Sequence, residues 1–266
     1  MSTDPADPRL ADFVGLNDPQ ARREIERRGN YFVVEGIVAI ERLLGLAHWN
    51  VRMLALLPKV AERLAPLLVD RGVPTVVADE DTLRTVVGFD IHRGALASVD
   101  RRAPVALDAV VHRSTSGVLV CAEGINDHEN LGSLYRNAAA FGAIGVALDP
   151  TSADPFYRRS VRVSQGNVLV VPTSSMAAAP EGIERLQALG ATVLALTPAG
   201  EVDLTELSPA RLGPGPIAVL VGAEGPGLTG AARRAADHRV AIRVRSGVDS
   251  LNVATAAAIA LHHLGR

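Results

Sequence analysis

Three stretches of this 266-residue chain combine residue types that do chemistry with spacings that suit a ligand. The first runs from Glu123 to Asn137 and holds Asn130, Gly132 and Arg136. A polar loop there leaves an apolar strand and enters a helix whose apolar face is Leu131, Leu134, Ala138 and Phe141. Arg136 lies roughly opposite that face, beside Ser133, Ala139 and Ala140. A guanidinium so placed could hold a phosphate or abut a reacting hydroxyl, or be an ordinary solvated helix arginine. The second stretch, Val221 to Leu228, sets Gly222, Gly225 and Gly227 around Glu224 directly after an aliphatic run. These glycines permit positive φ and close backbone approach to a ligand; a tight turn without one is the plain alternative. Their G-x-x-G-x-G spacing, with Pro226 inside, is a poor match to a nicotinamide-binding turn, which disfavours a dinucleotide-dependent oxidoreductase. The third stretch, Ile242 to Ala258, sets Ser250, Leu251 and Asn252 before an alanine-rich helix. Ser250 is the expected N-cap, and free backbone N–H groups at such a helix start can bind a ligand, although a plain capped helix has the same letters.

The elements that must position these stretches alternate in type. Helices are expected at Asp18–Arg28, Ile37–Leu46, Val60–Arg71 and Asp79–Val86. Strands are expected at Tyr31–Gly36, Val51–Leu57, Pro74–Ala78 and Arg93–Val99. Asp100 to Pro104 combines charge with a proline and breaks the pattern, which divides the chain into modules 1–103 and 104–266. In the second module, strands at Gly117–Ala122, Ile144–Leu148, Val168–Val171, Thr192–Leu196 and Pro216–Val221 are interleaved with helices, among them Asn130–Phe141 and the C-terminal one. Short aliphatic strands alternating with helices predict a parallel-sheet α/β domain, preceded here by a small α/β module.

Composition agrees. The chain is 48% apolar but only 3% aromatic, so its core is built from Ala, Val, Leu and Ile, as suits a covered parallel sheet. A net charge of −2 excludes a generally basic nucleic-acid coat, and any positive surface must be local. Lys59 is the sole lysine, so that charge is arginine, whose planar fork suits phosphate. Candidates are Arg22, Arg23, Arg27 and Arg28 before Tyr31, and Arg158 and Arg159 with Arg162 in the second module. Cys121 stands alone and the seven histidines form no ligand set, so no metal is expected. The acidic, Pro-containing start from Met1 to Pro8 is unlike a signal peptide, and no long charge-free apolar stretch appears. A cytoplasmic protein without a membrane span is the expectation.

Together and in this order, the three stretches resemble the SpoU/TrmH family of the SPOUT methyltransferase superfamily. The first motif is matched by Asn130, Gly132 and Arg136. The second is matched by Gly222, Glu224, Gly225, Gly227 and Leu228, and the third by Ser250, Leu251, Asn252 and Val253. The resemblance covers Val118 to Leu264; the first module, with its Arg-rich helix before Phe32 to Gly36, is similar to the family's substrate-binding domain. It implies a trefoil knot in the C-terminal domain, a homodimer, and S-adenosylmethionine as methyl donor to a ribose 2′-hydroxyl of RNA. The two-module layout favours ribosomal over transfer RNA. It also implies that Gly222, Ile242, Leu251, Leu196 and Thr197 contact the cofactor. Arg136 would activate the hydroxyl, while Asn130, Glu224, Ser250 and Asn252 shape the catalytic pocket. One departure stands out: the family's isoleucine-proline-methionine is Ile242-Arg243-Val244 here, so a φ-fixing proline is missing beside the cofactor. A non-catalytic RNA-binding protein on a degenerate methyltransferase fold is the rival reading, and the intact Arg136, Glu224 and Asn252 speak against it.

Overall fold

The computed structural model describes residues 1–69, 71–91, 94–245, 247 and 250–265. Of the positions singled out above, Asp70, His92, Arg93, Ser246, Val248 and Asp249 lie outside the described residues. The chain runs α1 (Pro19–Gly29), β1 (Tyr31–Glu35), α2 (Ile37–Leu44), β2 (Val51–Leu56), α3 (Pro58–Leu68), β3 (Thr75–Val77), α4 (Glu80–Val87) and β4 (Ala95–Asp100). It continues with α5 (Leu107–Val111), β5 (Val118–Glu123), α6 (His128–Ala140), β6 (Gly145–Leu148), α7 (Arg158–Val163), β7 (Thr173–Ser175) and α8 (Glu181–Ala188). The last elements are β8 (Thr192–Leu196), β9 (Val202–Asp203), β10 (Ile217–Gly222), α9 (Gly230–Ala235), β11 (His238–Ala241) and α10 (Val253–Leu264). They pack as two compact units: Met1–Ala103 with Phe156–Leu169, and Pro104–Pro155 with Val170–Arg266.

The first unit is a four-stranded sheet in the order β1-β4-β2-β3. Strand β4 is antiparallel to β1 and β2, and β2 is parallel to β3. One face closes over Leu10, Phe13, Tyr31, Val33 and Leu83. Side chains alternate along a strand, so Phe32 points to the other face, where it is also fully buried. There it meets Trp49 and Phe156, with ring centroids 5.5 and 4.9 Å away. Trp49 Nε1 donates to Leu169 O at 2.9 Å, and Arg158 pairs with Glu35 at 2.7 Å. These contacts correct the sequence-based division: Phe156–Leu169 lies among second-module strands in the sequence but completes the first unit's sheet face. Within it, Val168 and Leu169 form a 3-10 turn rather than a strand. The strand comes later at β7, beyond Pro172, because a short apolar run does not by itself distinguish strand from buried turn.

The second unit is a seven-stranded sheet in the order β7-β6-β5-β10-β8-β11-β9, every neighbouring pair parallel. Its central strands β5 and β10 are aliphatic and almost wholly buried, as expected of a sheet covered on both faces. Cys121 on β5 is one of these core residues; burial pushes its thiol up to about 12, which leaves it inert at neutral pH. Strands β9 and β11 were not expected from sequence: β9 is only two residues long, and His238 and Arg239 break the aliphatic signature of β11. Ala254, Ala257 and Ala260 on α10 are buried, and such small side chains let α10 lie close on α6. Because the strands are parallel, the ends of β5, β10, β8 and β11 open on one edge, where ligands of open α/β sheets bind. No helix among the described residues is long and apolar enough to cross a membrane.

Candidate functional site

The glycine turn grows directly out of β10. Gly225 and Gly227 have φ of 86° and 67°, a region that strains any residue with a Cβ. Gly227 N donates to Ala223 O at 2.9 Å and folds the turn back on itself. Gly222 is required for a different reason: a Cβ there would overlap the backbone of Gly227 and Leu228. The far end of the turn is held by Glu123, a buried carboxylate at the end of β5. It accepts from Thr229 N at 2.8 Å and from the Thr229 hydroxyl at 2.9 Å. A second buried carboxylate, Asp149, holds the loop after β5 by accepting from Gly124 N at 2.9 Å and the Ser152 hydroxyl at 2.7 Å. Burial opposes its ionisation, but these bonds and one from Thr151 outweigh that and keep its carboxyl below the ordinary value. Sequence reasoning missed both carboxylates; the one signal was an acidic residue ending each aliphatic strand.

The three stretches meet at Asn252. Its amide nitrogen donates to Asn130 Oδ1 and to Glu224 Oε1, each at 2.7 Å. Its carbonyl oxygen accepts from Ala254 N at 3.0 Å and Thr255 N at 3.2 Å. Asn252, not Ser250, is therefore the N-cap of α10. Ser250 stands two residues before the cap and is exposed, too far back to reach the helix's free N–H groups. One asparagine thus ties α6, the glycine turn and α10 together with its hydrogen-bonding capacity filled.

Beside this node lies a cavity of about 500 Å³ at the ends of β10, β8 and β11. Gly222, Ile242, Leu251, Leu196 and Thr197 all line it, as do Glu224, Ser250 and Asn252. Its floor and walls are largely apolar, with Val221, Leu228 and Val240 between the polar groups. Ile242 and Val244 face the cavity, while Arg243 between them is paired with Asp203 and lies 3.6 Å from Glu206. Hydrogen bonds from the Thr205 hydroxyl and N–H, with the Arg243 charge behind them, hold the Asp203 carboxyl below its usual range. At the position where the resemblance led to an expected proline, the ion pair of Arg243 ties the loop to Asp203.

Asn130 is at the node, but Arg136 is not on the cavity wall. It is exposed on α6, about 9 Å further along the helix than Asn130, and has no partner among the described residues. The arginines expected to bind RNA divide. Arg23, Arg27, Arg28 and Arg159 are exposed, and Arg28 pairs with Glu24. Arg22 is only 2% exposed, so it is a structural residue rather than a phosphate ligand. It pairs with Glu26 and donates to Asp12 O at 2.9 Å, because its place on α1 turns it inward against Tyr31. Arg158 is likewise engaged, by Glu35 and by the Phe89 ring 4.5 Å beneath it.

A model of the SpoU rRNA Methylase family matches residues 117–262. The chain is 41% identical, over 98% of its length and 92% of the other, to a Mycobacterium bovis protein described as an uncharacterized tRNA/rRNA methyltransferase. It is 30% identical to the 23S rRNA (guanosine-2'-O-)-methyltransferase RlmB of Shewanella oneidensis, over 86% of this chain and 94% of that one. An AdoMet-bound rRNA methyltransferase from Sinorhizobium meliloti superposes with a TM-score of 0.77 at 25% identity, over 98% of this chain and 95% of that one. The family match spans all three pieces that Asn252 joins, and the relatives extend it over both units: the chain belongs to the SpoU rRNA methylase family.

Proposed function

We propose that the chain transfers a methyl group from S-adenosylmethionine to a ribose 2′-hydroxyl of structured RNA, ribosomal RNA before transfer RNA. The observation that carries this reading is the Asn252 node, which sets Asn130 and Glu224 at the mouth of a cofactor-sized cavity. The residues present fit the cofactor: apolar side chains suit an adenine ring, and Gly222, with no Cβ, lets the glycine turn fold back tightly to form the cavity wall. When bound, the cofactor supplies a sulfonium-activated methyl group. The work of this chain's residues is then alignment, which can lower a barrier by up to ~7–11 kcal/mol in ideal cases, and help in removing the hydroxyl proton. A guanidinium holds its proton too firmly to be a good base, so Arg136 acts by its charge, on the hydroxyl or on a neighbouring phosphate. Glu224 has one oxygen occupied by Asn252, and its second is available to assist proton removal.

The ribosomal preference is supported by the similarity to the Shewanella 23S rRNA methyltransferase and the Sinorhizobium rRNA methyltransferase. The first unit, with Arg23, Arg27 and Arg159 exposed, is the part that selects the RNA. A cytoplasmic homodimer with a knotted C-terminal domain belongs to the same reading. Ile259, 39% exposed on the alanine-rich α10, offers an apolar contact for a second copy; a purely monomeric species in light scattering at micromolar concentration would remove this part. The function itself is tested by incubating the chain with labelled S-adenosylmethionine and ribosomal or transfer RNA. Label in nucleotides that resist alkaline cleavage is expected, because a 2′-O-methyl group blocks attack on the phosphate. RNA binding without transfer would favour the non-catalytic rival, and label on bases alone would overturn the ribose assignment.

A further inference from the structure

We propose that Arg233 holds the carboxylate of the cofactor's methionine moiety, a contact that none of the three motifs supplies and that rests on the methyl-donor reading of the cavity. The cofactor and its demethylated product, S-adenosylhomocysteine, both end in an amino-acid group whose carboxylate is anionic at neutral pH. An anion entering a partly dry cavity loses hydration and needs a donor in return. Among the described lining residues, Arg233 is the one basic side chain and Glu224 the one acidic side chain. Glu224 would repel a carboxylate. Asn252 has spent both amide hydrogens on Asn130 and Glu224. Thr197 and Ser250 offer neutral hydroxyls, which make weaker carboxylate partners than a guanidinium. Arg233, by contrast, is exposed and has no ion pair or side-chain hydrogen bond among the described residues.

Its backbone is well placed for the task. Arg233 N donates to Thr229 O at 3.1 Å, and the Thr229 hydroxyl caps α9 by accepting from Ala232 N at 3.1 Å. Thr229 is itself held by the buried Glu123 at the end of β5. The turn carrying Arg233 is therefore anchored to the central sheet on the same edge as the cavity. A guanidinium offers two parallel N–H donors that match the two oxygens of a carboxylate. With one cation and one anion on its wall, the cavity is complementary to a ligand that carries a carboxylate at one position and positive charge at others.

The test compares two probes on the full chain by calorimetry: S-adenosylhomocysteine, and 5′-methylthioadenosine, which lacks the amino-acid group. Arg233→Gln is expected to weaken S-adenosylhomocysteine binding roughly five-fold, in the range of an exposed charged hydrogen bond, and Arg233→Glu more. Methylthioadenosine binding should stay within about two-fold of wild type, and the difference between the probes should shrink at high salt. Arg233→Lys should recover part of the loss. Equal weakening of both probes would overturn the proposal in favour of a packing role for α9. Unchanged S-adenosylhomocysteine affinity would also overturn it, and a simultaneous fall in RNA affinity would assign the guanidinium to a phosphate. A wild-type chain that binds neither probe would instead sink the cofactor reading itself.

Discussion

Replacing Gly222 with valine is expected to abolish binding of S-adenosylmethionine and S-adenosylhomocysteine while leaving the sheet folded. The φ of Gly222 is not among the positive ones, so the conflict is one of space and not of backbone conformation. A Cβ at this position would overlap the main chain of Gly227 and Leu228, atoms that cannot rotate aside as a long side chain would. The turn has to move as a body, and Glu123 resists that by holding its far end at Thr229. Val221 next door is buried in β10 and paired with Ala122 on β5, so the strand stays in place while the turn yields. Loss of more than ~100-fold in affinity, about 2.7 kcal/mol, is the expected calorimetric result. Gly222→Ala should already do much of this damage, since the first carbon makes the clash. Thermal unfolding followed by circular dichroism separates a displaced turn from a lost fold. A folded valine variant that binds within ten-fold of wild type would show that this turn is not the cofactor's cradle.

How much of this was legible in sequence depends on whether the governing contact is local. Aliphatic strands such as Thr192–Leu196 declare themselves through composition, and the positive-φ glycines at 225 and 227 through residue type. The five residues that the family resemblance assigned to the cofactor line one cavity at the strand ends, a convergence that strand composition alone did not carry. The failures share a cause: each depends on how the backbone folds back, on a distant partner in two cases and on the local chain path in the other two. Phe156 belongs to the first unit because Phe32 and Trp49 wait for it there, a match that no local periodicity carries. Arg22 has the letters of a solvated helix arginine, yet it turns inward to Glu26 and to the carbonyls of Asp12 and Val14. Ser250 and Asn252 are both good capping types at nearly the same place, and only the backbone path decides between them. Arg243 reads as a lost proline until Asp203 appears beside it, brought there by the parallel pairing of β9 with β11.

Substituting Arg136 with alanine should cut methyl transfer by about 10²–10³-fold while leaving cofactor affinity within roughly three-fold, the range seen when one transition-state donor is removed. The two readouts are separable because of where the side chain sits. It is exposed on α6 and off the cavity wall, so its loss removes no surface that a bound cofactor would touch. It has no partner among the described residues, so no buried group is left unsatisfied and stability should hardly change. The helix keeps its other anchors: Asn130 still receives Asn252, and Asn137 still donates to Ala254 O at 2.8 Å. Arg136→Lys should restore little of the activity if the guanidinium's two-pronged geometry matters, and most of it if charge alone is used. Single-turnover transfer at saturating cofactor measures the chemical step, and calorimetry with S-adenosylhomocysteine measures the cavity. Transfer near the wild-type rate would make Arg136 an ordinary solvated arginine and move the search for the activating group to the node itself. A collapse of cofactor affinity would mean that Arg136 props the cavity from outside, and its assignment to the reacting hydroxyl would fall.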